Sequence, residues 1–149
     1  MTKKVRIEPG LAFFVVCDRG FAIGLYTHAH EQMGALVWMA EGFWDEEPNA
    51  EDVATVEAWR WCVHFPLAGA IRRHLACPIA NVAIPLDLVD YPDMRASHGE
   101  GKWSLVRNGD AGQPPFERTE DRSLSIESLI NDTMLREMLV SGWRPTDRW

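Results

Sequence analysis

The sequence predicts an α+β fold: a strongly bent antiparallel sheet or small SH3-like barrel, with two short helices inserted and a helix at the C-terminal end. Three observations carry this prediction. The first half is built from apolar or alternating runs closed by turn residues, two brief helix signatures interrupt it, and the last stretch carries a helical apolar stripe. At 149 residues the chain fits a single domain, residues 1–149, with enough length to bury a core.

The elements follow in order. "LAFFVVC" (11–17) is an aromatic and β-branched run closed by Asp18-Arg19-Gly20, and "FAIGLYTH" (21–28) returns at once, so the two predict a hairpin. "ALVWMAEGFW" (35–44) reads as a third strand. Asn49 is placed to cap a short helix whose first turn holds Glu51 and Asp52, which suits the positive end of the helix dipole. "WRWCVHF" (59–65) alternates, with Trp59, Trp61, Val63 and Phe65 expected inward and Arg60, Cys62 and His64 on the other face.

Pro66 opens a second helix over "LAGAIRRHL", and "IANVAI" (79–84) is a strand fenced by Pro78 and Pro85. Asp87 to Gly101 is polar and irregular and reads as a surface loop. "KWSLVRN" is a strand ended by Asn108-Gly109, and "AGQPPFERTEDR" is a second loop. "SLSIESLINDTMLREMLVSGW" (123–143) is expected to be helical, with a break at Asn131-Asp132. Gly142 stands at the left-handed cap, and Trp143 packs back toward Met138.

Charge and cysteine usage narrow the function classes. The formal net charge of −7 disfavours nucleic acid as a partner, because such binding draws its affinity from lysines and arginines on phosphates. Lys3-Lys4-x-Arg6 and Arg72-Arg73 are too short to reverse that balance, and a basic partner is the better complement. No apolar stretch approaches the roughly 20 residues of a membrane span, and the apolar run from Leu11 to Cys17 lacks a signal-peptide cleavage pattern. Cys17, Cys62 and Cys77 are odd in number and show no Cys-x-x-Cys pair, which reads as reduced thiols in a cytoplasmic protein. Seven tryptophans predict an aromatic core, with Trp149 the one expected at the surface.

Three constellations are candidates for chemistry. His28 with His30, and Cys62 with His64, each project two ligand types from one face of a strand, and together would offer four nitrogen and sulfur ligands. Neither spacing is an established metal motif, so the reading is against a metal and no cofactor is expected. If Phe21, Ile23 and Leu25 face the core, the two histidines follow Gly24 and Tyr26 outward, to solvent or a partner, where pH sensitivity at an exposed edge is the question. Ser97-His98 lies near Asp90 and Asp93, but adjacent Ser and His rarely form a triad, so no catalytic residues are assigned.

The third constellation is acidic. Asp45, Glu46, Glu47, Glu51 and Asp52 repel one another and should stay ionised at the surface. As a solvated loop and helix start they need no further role. Beside Phe43 and Trp44 they also read as a charged rim around aromatic anchors, a partner-binding patch suited to a basic protein.

The segment order has a counterpart. "EPGLAFFVVCDRGFAIGLYTH", an acidic helix, "WCVHF", "LAGAIRRHL", "PIANVAIPLD", a proline-bearing loop, "WSLVRNGD" and a helical finish resemble the immunity protein 26-like family over roughly Pro9 to Trp143. These are small bacterial proteins encoded beside polymorphic toxins. The resemblance implies a cytoplasmic non-enzyme that binds and neutralises a cognate toxin protein, and it transfers no site residue. Two other classes compete: a small-molecule or peptide-binding barrel with a pocket lined by Trp61 and Trp103, and a metal-dependent enzyme using His28, His30 and His64.

Overall fold

A computed structural model describes residues 5–99, 101–110 and 112–147; the basic pair Lys3-Lys4 and the terminal Trp149 lie outside the described residues. The fold is α+β, as the pattern predicts, with eight strands in two sheets and three α-helices among the described residues. A curved open sheet of five strands replaces the alternative of a closed barrel. Its order is β4 (Trp59–Phe65), β3 (Gly34–Ala40), β2 (Gly20–His30), β1 (Leu11–Cys17) and β5 (Cys77–Asn81), all neighbours antiparallel.

The β1–β2 hairpin turns over Asp18-Arg19, with Cys17 opposite Gly20. Gly20 has φ +127, and a Cβ there would meet the Trp44 carbonyl oxygen at 2.6 Å. The glycine therefore lets the segment after β3 lie directly on the hairpin.

Helix α1 (Ala50–Ala54) begins at Asn49 with a reciprocal capping box, and α2 (Leu67–Arg72) follows Pro66. α3 (Asp132–Ser141) is capped by Asn131 and closed by Gly142 in the left-handed conformation. The Trp143 amide then donates to the Met138 carbonyl at 3.0 Å, the closure expected of such a cap. α3 brings Leu135, Met138 and Leu139 onto one face of the main sheet, against Trp61, Phe13 and Phe65. Trp61 is fully buried; its indole lies edge-on to Trp143 and donates to the Trp143 carbonyl oxygen at 3.0 Å, so its polar edge is satisfied within the core.

The second sheet corrects two sequence expectations. Residues 87–101 are not one surface loop, because Met94–Ser97 form strand β6. This strand pairs antiparallel with β7 (Trp103–Val106) and parallel with β8 (Ser125–Ile126). Arg95, polar by type, is buried there with its guanidinium over the Trp103 ring at 4.0 Å. Likewise the helix expected over 123–143 begins only at Asp132, since Ser125–Ile126 form a strand and Leu129 bridges to His64.

That segment joins the two sheets. Glu127 donates its amide to the Arg95 carbonyl at 2.8 Å, the His64 amide donates to Ser128 at 2.9 Å, and the Ile130 amide to His64 at 3.1 Å. Backbone groups that helix formation would have satisfied are thus satisfied by β4 and β6. The second sheet covers the other face of the main sheet, where Leu36 and Cys62 pack against Met94 and Val106.

Candidate functional site

The histidines lie at the seam between the sheets. β2 and β3 shift register between Tyr26 and His28, leaving Thr27 as an extra residue: Tyr26 opposes Val37, while His28 opposes Leu36. Because side chains alternate along a strand, one inserted residue moves those after it to the opposite face. His28 and His30 therefore share the face of Ile23 and Leu25, under the second sheet, not the face of Gly24 and Tyr26 that leads outward. This overturns their placement at an exposed edge.

Their ring nitrogens are occupied. His28 Nε2 donates to the Val89 carbonyl at 2.8 Å, and its Nδ1 faces the Thr27 hydroxyl at 2.9 Å. His30 Nε2 donates to the Gly109 carbonyl at 3.0 Å, and its Nδ1 accepts the Gln32 and Met33 amides at 3.2 and 3.0 Å. That tautomer leaves neither imidazole of the pair with an uncommitted nitrogen.

β3 separates the strands that carry His30 and His64. Gly34 opposes His30, so no side chain intervenes, and His30 comes edge-to-face with His64 at a ring separation of 5.4 Å. His64 is fully buried with no hydrogen-bond partner on either ring nitrogen. Burial first, then the neighbouring His30, lower its pKa to about 4; the Gly34 backbone, off hydrogen-bonding geometry, opposes this only in part.

Cys62 is also buried, and burial raises its thiol pKa to about 12. Burial raises Tyr91 to about 12 as well and lifts the Glu127 carboxyl, against which His30 acts in the other direction. Among the described residues no group of three or more His, Cys, Asp or Glu side chains is arranged to hold a metal. His28 and His30 bond across the seam to Val89 and Gly109, Cys62 packs against Met94 and Val106, and the His64 ring is enclosed without such a bond.

The serine–histidine reading changes as well. His98 is hydrogen-bonded not to Ser97 but to Ser104, with Nε2 to Oγ at 2.6 Å, and its ring stacks on Phe116. Ser104 is buried between strands, out of reach of a substrate carbonyl. The paired spacing of the β6–β7 hairpin could have pointed to this contact; sequence adjacency could not. Trp61 lies in the main core, whereas Trp103 lies under the Arg95 guanidinium.

The acidic stretch is built differently. Trp44 exchanges two backbone hydrogen bonds with Phe21, at 2.8 and 2.9 Å, which fixes the chain on the hairpin. Phe43 and Trp44 are both half-buried and pack into opposite core clusters. Arg19 and Arg60 lie over the Phe43 ring at 5.2 and 5.4 Å. The two aromatic residues are therefore held by the fold on one side and remain half-exposed.

The carboxylates divide into two sets. Glu41 is held by Arg144 and Arg60, and hydrogen bonding from Arg144, ahead of the Coulombic attraction, keeps its carboxyl below the usual range. Asp52 accepts the Asn49 amide at 2.8 Å in the capping box. Asp45, Glu46, Glu47 and Glu51 are exposed and make no ion pair among the described residues. They form an acidic ledge fixed at one end by the Phe21–Trp44 bridge and at the other by the capped helix.

Comparison with known proteins finds no matching family model, no matching curated protein and no matching solved structure. No helix among the described residues is long and apolar enough to cross a membrane.

Proposed function

We propose that this protein is a non-enzymatic, cytoplasmic immunity protein that neutralises a basic toxin by protein–protein contact through the 45–51 ledge. The observation that carries the reading is the set of exposed, unpaired carboxylates Asp45, Glu46, Glu47 and Glu51 on a backbone fixed at both ends. A charged surface held in place loses little conformational freedom on association and steers an oppositely charged partner from a distance. The net charge of −7 acts in the same sense. His28 and His30 spend their Nε2 atoms on backbone carbonyls, and Ser104, the partner of His98, is buried, which favours occupancy of a surface over turnover.

The test uses the toxin candidate encoded beside this protein's own gene. Co-expression should restore growth, and the two products should co-purify. D45K/E46K/E47K should slow association about tenfold at low ionic strength, and added salt should slow the unmodified pair. Association indifferent to both charge reversal and salt would sink the ledge, and a neighbouring product without toxicity would sink the immunity role.

A further inference from the structure

We infer that the apolar cleft beside α1 is the anchor pocket of this surface, taking one leucine-, methionine- or phenylalanine-like side chain that a basic partner presents between lysines or arginines. The inference rests on the reading of the ledge as a docking surface.

The cleft has a volume of about 350 Å³. Helix α1 gives it Ala50, Val53 and Ala54, which helical spacing places on one face. Two of these three are alanines, so the helix leaves volume open where larger side chains would close it. Trp59, Val82 and Pro85 also line the cleft. Apart from the Trp59 indole N–H, every side chain lining the cleft is apolar, so it offers a guest mainly burial.

Charge at the rim selects the guest. Glu51 follows Ala50, Glu57 follows Val56, and Asp87 lies two residues beyond Pro85; all three are exposed and form no ion pair among the described residues. Leu86, directly after Pro85, is 93% exposed and extends the apolar surface outward. An apolar pocket inside a charged rim is the arrangement of an interface hot spot, where one buried side chain supplies affinity and the rim supplies selection. A carboxylate rim excludes acidic segments and favours an apolar residue flanked by cations.

Two-dimensional NMR of the isotope-labelled protein tests this with three peptides: acetyl-Lys-Lys-Leu-Lys-Lys-amide, the same peptide with asparagine at the centre, and Glu-Glu-Leu-Glu-Glu. The lysine–leucine peptide should shift the Trp59 indole and the α1 amides and bind about tenfold tighter than the asparagine peptide, the factor expected for burying one aliphatic side chain. The double variant A54M/A83M fills the cleft from two exposed lining positions. It should erase the leucine preference while its amide spectrum remains that of the folded protein.

Equal binding of the leucine and asparagine peptides, no binding of either, or shifts remote from Trp59 would each overturn the inference. So would a leucine preference that survives in folded A54M/A83M, or a glutamate-flanked peptide that binds as well as the lysine-flanked one. The ledge fails separately: if the leucine preference holds at Trp59 while D45K/E46K/E47K leaves affinity and its salt dependence unchanged, the cleft stands and the ledge does not.

Discussion

The seam under the second sheet and the ledge beside α1 are both rich in titratable side chains, yet the fold uses them in opposite ways. At the seam, His28 and His30 spend their ring nitrogens on backbone carbonyls, amides and a hydroxyl, and His64 is enclosed. At the ledge, Asp45, Glu46, Glu47 and Glu51 keep their charges in water. A titratable group is available to a partner only where the fold leaves its hydrogen-bonding capacity unused. The ring nitrogens of His28 and His30 are therefore committed within the fold, whereas the ledge carboxylates are left exposed.

Acidification should separate the two regions most strongly. His64 has a folded pKa of about 4 against an ordinary 6.5, so below pH 6.5 the unfolded chain binds a proton that the folded chain refuses. Stability present above pH 6.5 is lost as pH falls toward 4, by up to about 3 kcal/mol. In H64L this component should vanish, while neutral-pH stability stays within about 1 kcal/mol, because an unpartnered imidazole is replaced by an apolar group of similar size. Urea unfolding of both proteins at pH 7 and pH 4.5 measures it. Parallel losses in the two would mean that His64 is not the source of the acid sensitivity.

The next largest effect should come from the other side of the seam. Gly109 has φ +75, and a Cβ there would lie 2.7 Å from His30 Cδ2 and 2.9 Å from the Tyr91 hydroxyl oxygen. G109A should cost about 2 kcal/mol through combined backbone strain and overpacking. Denaturant titration reads the loss, and the His30 ring resonances should move with it. An unchanged midpoint would show that the second sheet rests loosely on the first.

What the sequence made legible is what local chemistry encodes. The Asp18-Arg19 turn, the Asn49 cap and the left-handed Gly142 are each written in a few adjacent residues, and each lies where that chemistry puts it. The misses are all non-local. The bulge at Thr27 leaves no mark in "LYTHAH", yet it reverses the face of both histidines. Strand β6 reads as polar loop because its Arg95 is covered by the Trp103 ring of the neighbouring strand and bonded to the Pro145 carbonyl, 50 residues on. Ile126 and Ile130 fit a helical stripe and an extended alternation equally well; bonds to Arg95 and His64 decide for the latter and leave Leu129 exposed. For the candidate site, the acids could be read from sequence, but the inward packing of Phe43 and Trp44 could not.

At the ledge the effects should be smaller and local. N49A removes the side-chain oxygen that accepts the Asp52 amide at 3.0 Å and should cost about 1 kcal/mol. Hydrogen exchange should quicken at the Val53 and Thr55 amides, which donate to Asn49 and Glu51, while the His64 amide in the seam keeps its protection. If exchange rose equally in both places, the ledge and the seam would be one cooperative unit.

The smallest expected stability effect is the most informative about function. D45K/E46K/E47K replaces three exposed carboxylates that make no ion pair among the described residues, so folding should change by no more than about 0.5 kcal/mol. The substitution also removes most of the formal net charge of −7, relieving self-repulsion and offsetting any local loss. Association with a basic partner should nevertheless fall about tenfold, since encounter depends on the field these groups set up in solvent. Denaturation and binding kinetics on the same variant make the comparison. A large stability loss would mean that the ledge carboxylates hold the fold. An intact fold with impaired association would mean that these charges are kept in water for a partner.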